Sequence, residues 1–177
     1  CGDGEDNDND ELVDCLDPSC DDSPVCVNPK AGPGDLVITE IMGNPASVSD
    51  TDGEWFEVLN RLDHAVVIQG GIIATQGSTG AFKLHQITAP IVLQAESYYV
   101  WGRSTDESVN GGAIVDYTYG SLSIVNSGQA RILVLKPGSG WDGQGEPDAE
   151  MVVDDVSVGS GTFSSSKAGR SYQNDLG

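Results

Sequence analysis

Asp6, Asp8, Asp10, Asp14 and Asp17 fall at positions 1, 3, 5, 9 and 12 of a twelve-residue window. With that spacing an EF-hand-type loop wraps oxygen ligands around calcium. Asp6, Asp8 and Asp10 would give side-chain oxygens, Leu12 its backbone carbonyl, Asp14 a direct or water-mediated contact, and Asp17 the closing carboxylate. Val13 stands at position eight, where such loops carry an aliphatic residue. Carboxylates packed this densely repel one another unless a hard divalent cation sits among them. The competing description is a solvated acidic tail. Glu11 occupies the turn position that normally takes Gly, and Asp17 is shorter than the usual bidentate Glu. Neither flank reads as a long amphipathic helix, so the segment predicts a lone calcium loop of modest affinity. Magnesium is disfavoured because it keeps its waters.

The same stretch, residues 1–26, holds ten of the twenty-eight acidic residues and all four cysteines, Cys1, Cys15, Cys20 and Cys26. Their spacings of 14, 5 and 6, with no histidine nearby, do not suit a zinc site. Two disulfides are expected, which places the chain in an oxidising, extracellular or cell-surface setting. The pairing is open among three connectivities. A Cys1–Cys15 bridge is preferred because it closes a ring around most of the acidic loop, removing roughly 3 kcal/mol of unfolded-state freedom. A chain opening on Cys1 with no initiator Met reads as a processed or excised form. Lipidation of Cys1, as in a mature lipoprotein, is disfavoured because it would leave an odd number of thiols. No run of eighteen apolar residues is present, so no membrane span is expected.

Residues 27–34, VNPKAGPG, read as a Pro/Gly linker. The formal charge of −20 divides into −9 for residues 1–30 and −11 beyond. No basic patch offsets it, which argues against nucleic acid as a partner. Residues 35–177 carry short β-prone runs bounded by Gly, Pro, Asn or Asp. These are Leu36–Ile41, Glu54–Leu59, Ala65–Ile68, Gly71–Thr75, His85–Ile87, Tyr98–Trp101, Ala113–Tyr117, Ala130–Leu135 and Met151–Val153. With twenty-three glycines and no amphipathic helical stretch of ten residues, the pattern predicts an all-β antiparallel sandwich or barrel.

The stretch DLVITEIMGNPASVSDTDGEWFEVLN (35–60) resembles the opening of a lamin tail domain, an immunoglobulin-like antiparallel β-sandwich. Glu40, Ile41, Met42, Asn44 and Pro45 match the strand-to-turn part, and Gly53, Glu54, Trp55, Glu57 and Asn60 match the following strand. SYYVWGR (97–103), LSIVNSGQARILVL (122–135) and GRS (169–171) fit more loosely. Residues 1–20 are similar to Cys-framed, Asp-rich repeats of bacterial surface proteins. The resemblance implies the fold more firmly than a function, since a fold hosts many functions.

An enzyme is not expected. His64, in a turn, and His85, on a strand, read as structural, and no G-x-S-x-G, H-E-x-x-H, P-loop or Rossmann pattern occurs. Glu54 and Glu57, three apart on a strand, face opposite ways and cannot act as a carboxylate pair on one substrate. Asp50, Asp52 and Glu54 read first as an Asp-Gly turn joining two strands and second as a further cation site. The acids of 141–150 and Asp154-Asp155 read as solvated loop charge. Trp55 and Trp101 are expected in the core and Trp141 at the surface. The combined expectation is a secreted or cell-surface, non-catalytic structural module with a calcium-stabilised arm, self-associating into a fibre or envelope layer. The rival is an adhesion module binding a glycan or another extracellular protein.

Overall fold

Apolar and polar residues alternate through WFEVLN, and in the structure the burial alternates with them. Phe56, Val58 and Asn60 are buried, while Trp55, Glu57 and Leu59 are partly exposed on the other face. That two-residue period is a strand with one face on the core. A computed structural model describes residues 31–174. Among them the strands are β1 (Leu36–Met42), β2 (Trp55–Asn60), β3 (Val66–Ile68), β4 (Ile72–Gln76), β5 (Lys83–Gln86), β6 (Ile91–Leu93), β7 (Tyr98–Gly102), β8 (Tyr117–Thr118), β9 (Ala130–Leu135), β10 (Val152–Val158) and β11 (Tyr172–Gln173). The α-helices are single turns, α1 (Asp50–Gly53) and α2 (Glu107–Asn110).

The chain is an all-β sandwich. One sheet runs β11-β1-β2-β7-β8, the facing sheet β10-β9-β4-β5, and β3 pairs with β6 as a two-stranded ribbon. All pairings are antiparallel except β7 with β8, which run parallel. This differs from the uniformly antiparallel layout expected. Residues 103–116, between β7 and β8, make the crossover that a parallel pair requires and carry α2. Two strands beyond the predicted runs appear, β6 and β11. Both are too short for periodicity to register.

Phe56, Val58 and Trp101 of one sheet meet Ile73, Ile132 and Val134 of the other in the main core. Phe56 lies edge-on to Trp101 at 5.6 Å and stacks on Tyr119 at 5.4 Å between centroids. Strand β9 breaks the alternation, being buried at every position except Arg131. The reason is a second apolar cluster on the outer face of its sheet, where Ile72, Ala74, Leu133 and Leu135 lie under Phe82, Leu84, Trp141 and Met151. A strand covered on both faces reads as a continuous apolar run.

Residues 31–34 are part of the sandwich rather than of a free linker. Ala31 is 5% exposed and joins the main core. Gly34 N–H donates to Val153 O at 2.8 Å, and Gly32 N–H to the Asp35 carboxylate at 2.7 Å. One strand further, Ile38 N–H donates to the Asp154 carboxylate at 2.6 Å. These bonds close the outer edge of β10 against β1, leaving fewer unpaired ladder groups there to recruit another strand.

Candidate functional site

At one end of the sandwich, α1, the end of β7 and residues 119–127 converge on the side chain of Glu54. The sequence brings this about locally. Ser49 O accepts from the N–H groups of both Asp52 and Gly53, winding one helical turn just before β2. A Cβ on Gly53 would stand 2.3 Å from Val48 Cγ2, so any side chain there would have to push Val48 and Pro45 aside. Glu54 then falls on the same face as Phe56 and points inward, 2% exposed. Its Oε2 accepts from Ile124 N–H at 3.1 Å, and Arg103 Nη1 stands 3.8 Å away. Arg103 is held by the carbonyls of Thr51 and Leu122, and Tyr119 Oη donates to Glu54 O at 3.1 Å. Burial pushes the Glu54 carboxyl up to about 8, against the opposing pull of the Ile124 N–H and of Arg103. The same burial, helped by the negative charge of Glu54, pushes the Tyr119 phenol well above its usual value.

A cleft opens beside this cluster in two lobes that share Ser123 and Ser127 as a wall. The lobe of about 510 Å³ is lined by Asp50, Thr51, Glu54, Arg103 and Asn126. The other, about 350 Å³, is lined by Thr75, Gln76, Ser78, Thr79 and Lys83. Asn126 Nδ2 donates to Asp50 at 2.6 Å, while its Oδ1 is buried without a partner. Thr75 Oγ1 is likewise buried and unpartnered, on a residue 5% exposed.

The cation site considered at Asp50, Asp52 and Glu54 does not form. Asp50 accepts from Asn126, Asp52 from Ser49 Oγ, and Glu54 from Ile124, so the three carboxylates diverge. Among the described residues, no three His, Cys, Asp or Glu side chains gather as a metal site. The hairpin-type Asp-Gly turn expected there is instead the helix α1. The calcium-loop residues Asp6, Asp8, Asp10, Leu12, Asp14 and Asp17, and Cys1, Cys15, Cys20 and Cys26, lie outside the described residues.

Other singled-out residues fall as follows. Glu57 faces outward from β2 and accepts from Thr39 Oγ1 at 2.5 Å, on the opposite face from Glu54 as the strand period requires. His85 Nε2 and Tyr117 Oη lie 2.7 Å apart, joining edge strands β5 and β8 of the two sheets. Burial lowers the His85 pKa. His64 is exposed in a turn beside Asp63.

Trp101 is fully buried. Trp55, expected in the core, is partly exposed on the outer face of β2. Trp141, expected at the surface, packs edge-on against Phe82 at 4.8 Å and donates its Nε1–H to Gln144 O. It lies partly exposed over the second apolar cluster. The acids around it are not all solvated. Arg131 bonds both Asp155 and Glu146 with paired contacts of 2.6–2.9 Å while lying 5.3 Å over the Phe82 ring. Asp154 is partly buried, and that burial raises its pKa.

Arg103, Asn126 and Thr75 had no sequence signal. Each is an ordinary residue in a loop or strand, and only their meeting across long separations in the chain makes them a set. Compared with known proteins, the chain matches no family model and no curated protein.

Proposed function

We propose that this chain is a secreted or cell-surface, non-catalytic structural module. In this reading calcium, held by Asp6, Asp8, Asp10, Leu12, Asp14 and Asp17, fixes an N-terminal arm on a β-sandwich of the lamin tail type, and copies self-associate through that arm.

The observation that supports this reading is the root of the arm. Ala31 is buried in the main core, and Gly34 is bonded to Val153 in β10. A metal-stiffened, disulfide-stapled segment leading into such a root would have a restricted orientation on the sandwich, which repeated assembly needs. The charge distribution is compatible with a calcium-controlled process. At a net charge of −20, copies repel one another, and bound divalent cations reduce that repulsion where it is densest. Disulfides among Cys1, Cys15, Cys20 and Cys26 would keep the arm compact in an oxidising compartment.

The test is sedimentation velocity of the oxidised chain with calcium and then with excess chelator. Large species with calcium that dissolve on chelation are expected. A monomer under both conditions would remove the assembly function.

A further inference from the structure

We propose that the two-lobed cleft at the Glu54 end of the sandwich is a binding site for a neutral, hydroxyl-rich ligand, namely a saccharide. The site is independent of the calcium arm. Its two lobes, about 510 and 350 Å³, lie within the range of about 300–1,000 Å³ typical of small-molecule sites.

The ligand class follows from the lining. Two carboxyl groups, Asp50 and Glu54, are set against two cations, Arg103 and Lys83. Lys83 and Arg103 both act electrostatically on Glu54, so the four belong to one neighbourhood. A polyol needs both kinds of partner, because each hydroxyl donates once and accepts twice. The lining provides an acceptor in Asp50, donors in Arg103 and Lys83, and hydroxyls that do both in Thr51, Ser123 and Ser127.

Two atoms point to a ligand in their own right. Thr75 lines one lobe and Asn126 the other, and each keeps one polar atom, Oγ1 and Oδ1, buried in the wall without a hydrogen-bond partner. Buried polar atoms are nearly always paired, and an orphan costs stability that a bound hydroxyl would recover. The walls are pre-set. Arg103 is held by the carbonyls of Thr51 and Leu122, Asn126 by Asp50, and Ser78 Oγ by Gln129 N–H. Neither lobe is lined by an aromatic ring, so a sugar would be held edge-on by hydrogen bonds rather than stacked. Affinity would then come from a chain long enough to reach both lobes, and an oligosaccharide should bind better than its monomer.

The experiment is a titration of the ¹⁵N-labelled, oxidised full chain in calcium with maltohexaose, cellohexaose, mannohexaose and chitohexaose, each beside its monosaccharide. At least one hexamer should shift amides of residues 50–54, 75–79 and 121–128, with its monomer far weaker. Asn126→Ala should weaken that binding about tenfold, the worth of roughly one hydrogen bond to a polar ligand. Thr75→Val, which removes an orphan hydroxyl and keeps the shape, should keep the wild-type Tm or raise it while weakening binding several-fold. Trp141→Phe, away from the cleft, should leave binding unchanged. Cleft amides unmoved by every hexamer, or shifts equally strong in the Asn126 and Thr75 variants, would overturn the proposal. Calcium-dependent sedimentation is unaffected by either result, so failure here and failure of the assembly reading are separable.

Discussion

At the scale of single residues, the sandwich is closed by polar side chains buried where loops must turn. Asn60 is fully buried, with Nδ2 contacting the carbonyls of His64, Leu93 and Gln94 and Oδ1 accepting from Leu62 N–H. Asn110 does the same for the α2 loop, bonding Ser104 O and Ala113 O and accepting from Gly112 and Ala113. Each amide satisfies several backbone groups that would otherwise be buried unpaired. Truncation to Ala exposes that whole debt at once. Asn60→Ala is expected to cost about 2–4 kcal/mol in urea unfolding, well above a surface Asn→Ala in the same chain.

Glu54 makes the opposite contribution. Its folded pKa, about 8, lies above the ordinary value of 4.5, so the folded state holds a proton that the unfolded chain releases between these values. Stability from this residue is therefore fully present below pH 4.5 and is lost as pH rises towards 8. With each pH unit worth about 1.4 kcal/mol, the loss is on the order of a few kcal/mol. Unfolding of the wild type measured from pH 5 to 8 should show this decline, and Glu54→Gln should flatten it. A flat wild-type profile would mean that Arg103 keeps the carboxylate ionised.

At the scale of elements, α1 and the segment 136–151 decide how the strands are presented. In α1, a methyl group on Gly53 collides with Val48, so Gly53→Ala is expected to destabilise by about 1–3 kcal/mol through overpacking. Because the same turn aims Glu54 and Asp50, the cleft amides should shift in that variant while those of β9 and β10 stay in place. The segment 136–151 is folded over the outer face of β4 and β9 by Trp141 and by the clamp of Arg131 on Glu146 and Asp155. Arg131→Met keeps the apolar stem but drops the ion pairs. New proteolytic cuts in 136–151 and a red shift of Trp141 fluorescence are expected, with the far-UV spectrum unchanged.

At the scale of the whole molecule, charge and the acidic segment set the predictions. Asp6→Asn/Asp8→Asn/Asp10→Asn should abolish calcium binding seen by titration calorimetry, and with it any calcium-dependent sedimentation. Equal calcium heats in wild type and triple variant would remove the loop as the binding site. The unfolding midpoint of the sandwich should move little with calcium. The ligands lie before Ala31, and a ligand stabilises only the unit whose folded form it prefers.

The class of fold is legible in the sequence, because a two-residue period and turn residues are local properties of a chain. It placed most of the strands within a residue or two, Glu54 and Glu57 on opposite faces, and Trp101 in the core. It also carries the calcium-loop spacing and the cysteine frame, which lie outside the described residues. The parallel pairing of β8, the edge strands β6 and β11, and the second apolar cluster emerge only when the chain is folded. That cluster is roofed by Trp141, which stays partly exposed. Only the tertiary structure, too, assembled Glu54, Arg103, Asn126 and Thr75 into one cleft. Non-local pairing has no period to read. A polar side chain buried by elements distant in sequence looks, in the sequence, like any other polar side chain in a loop.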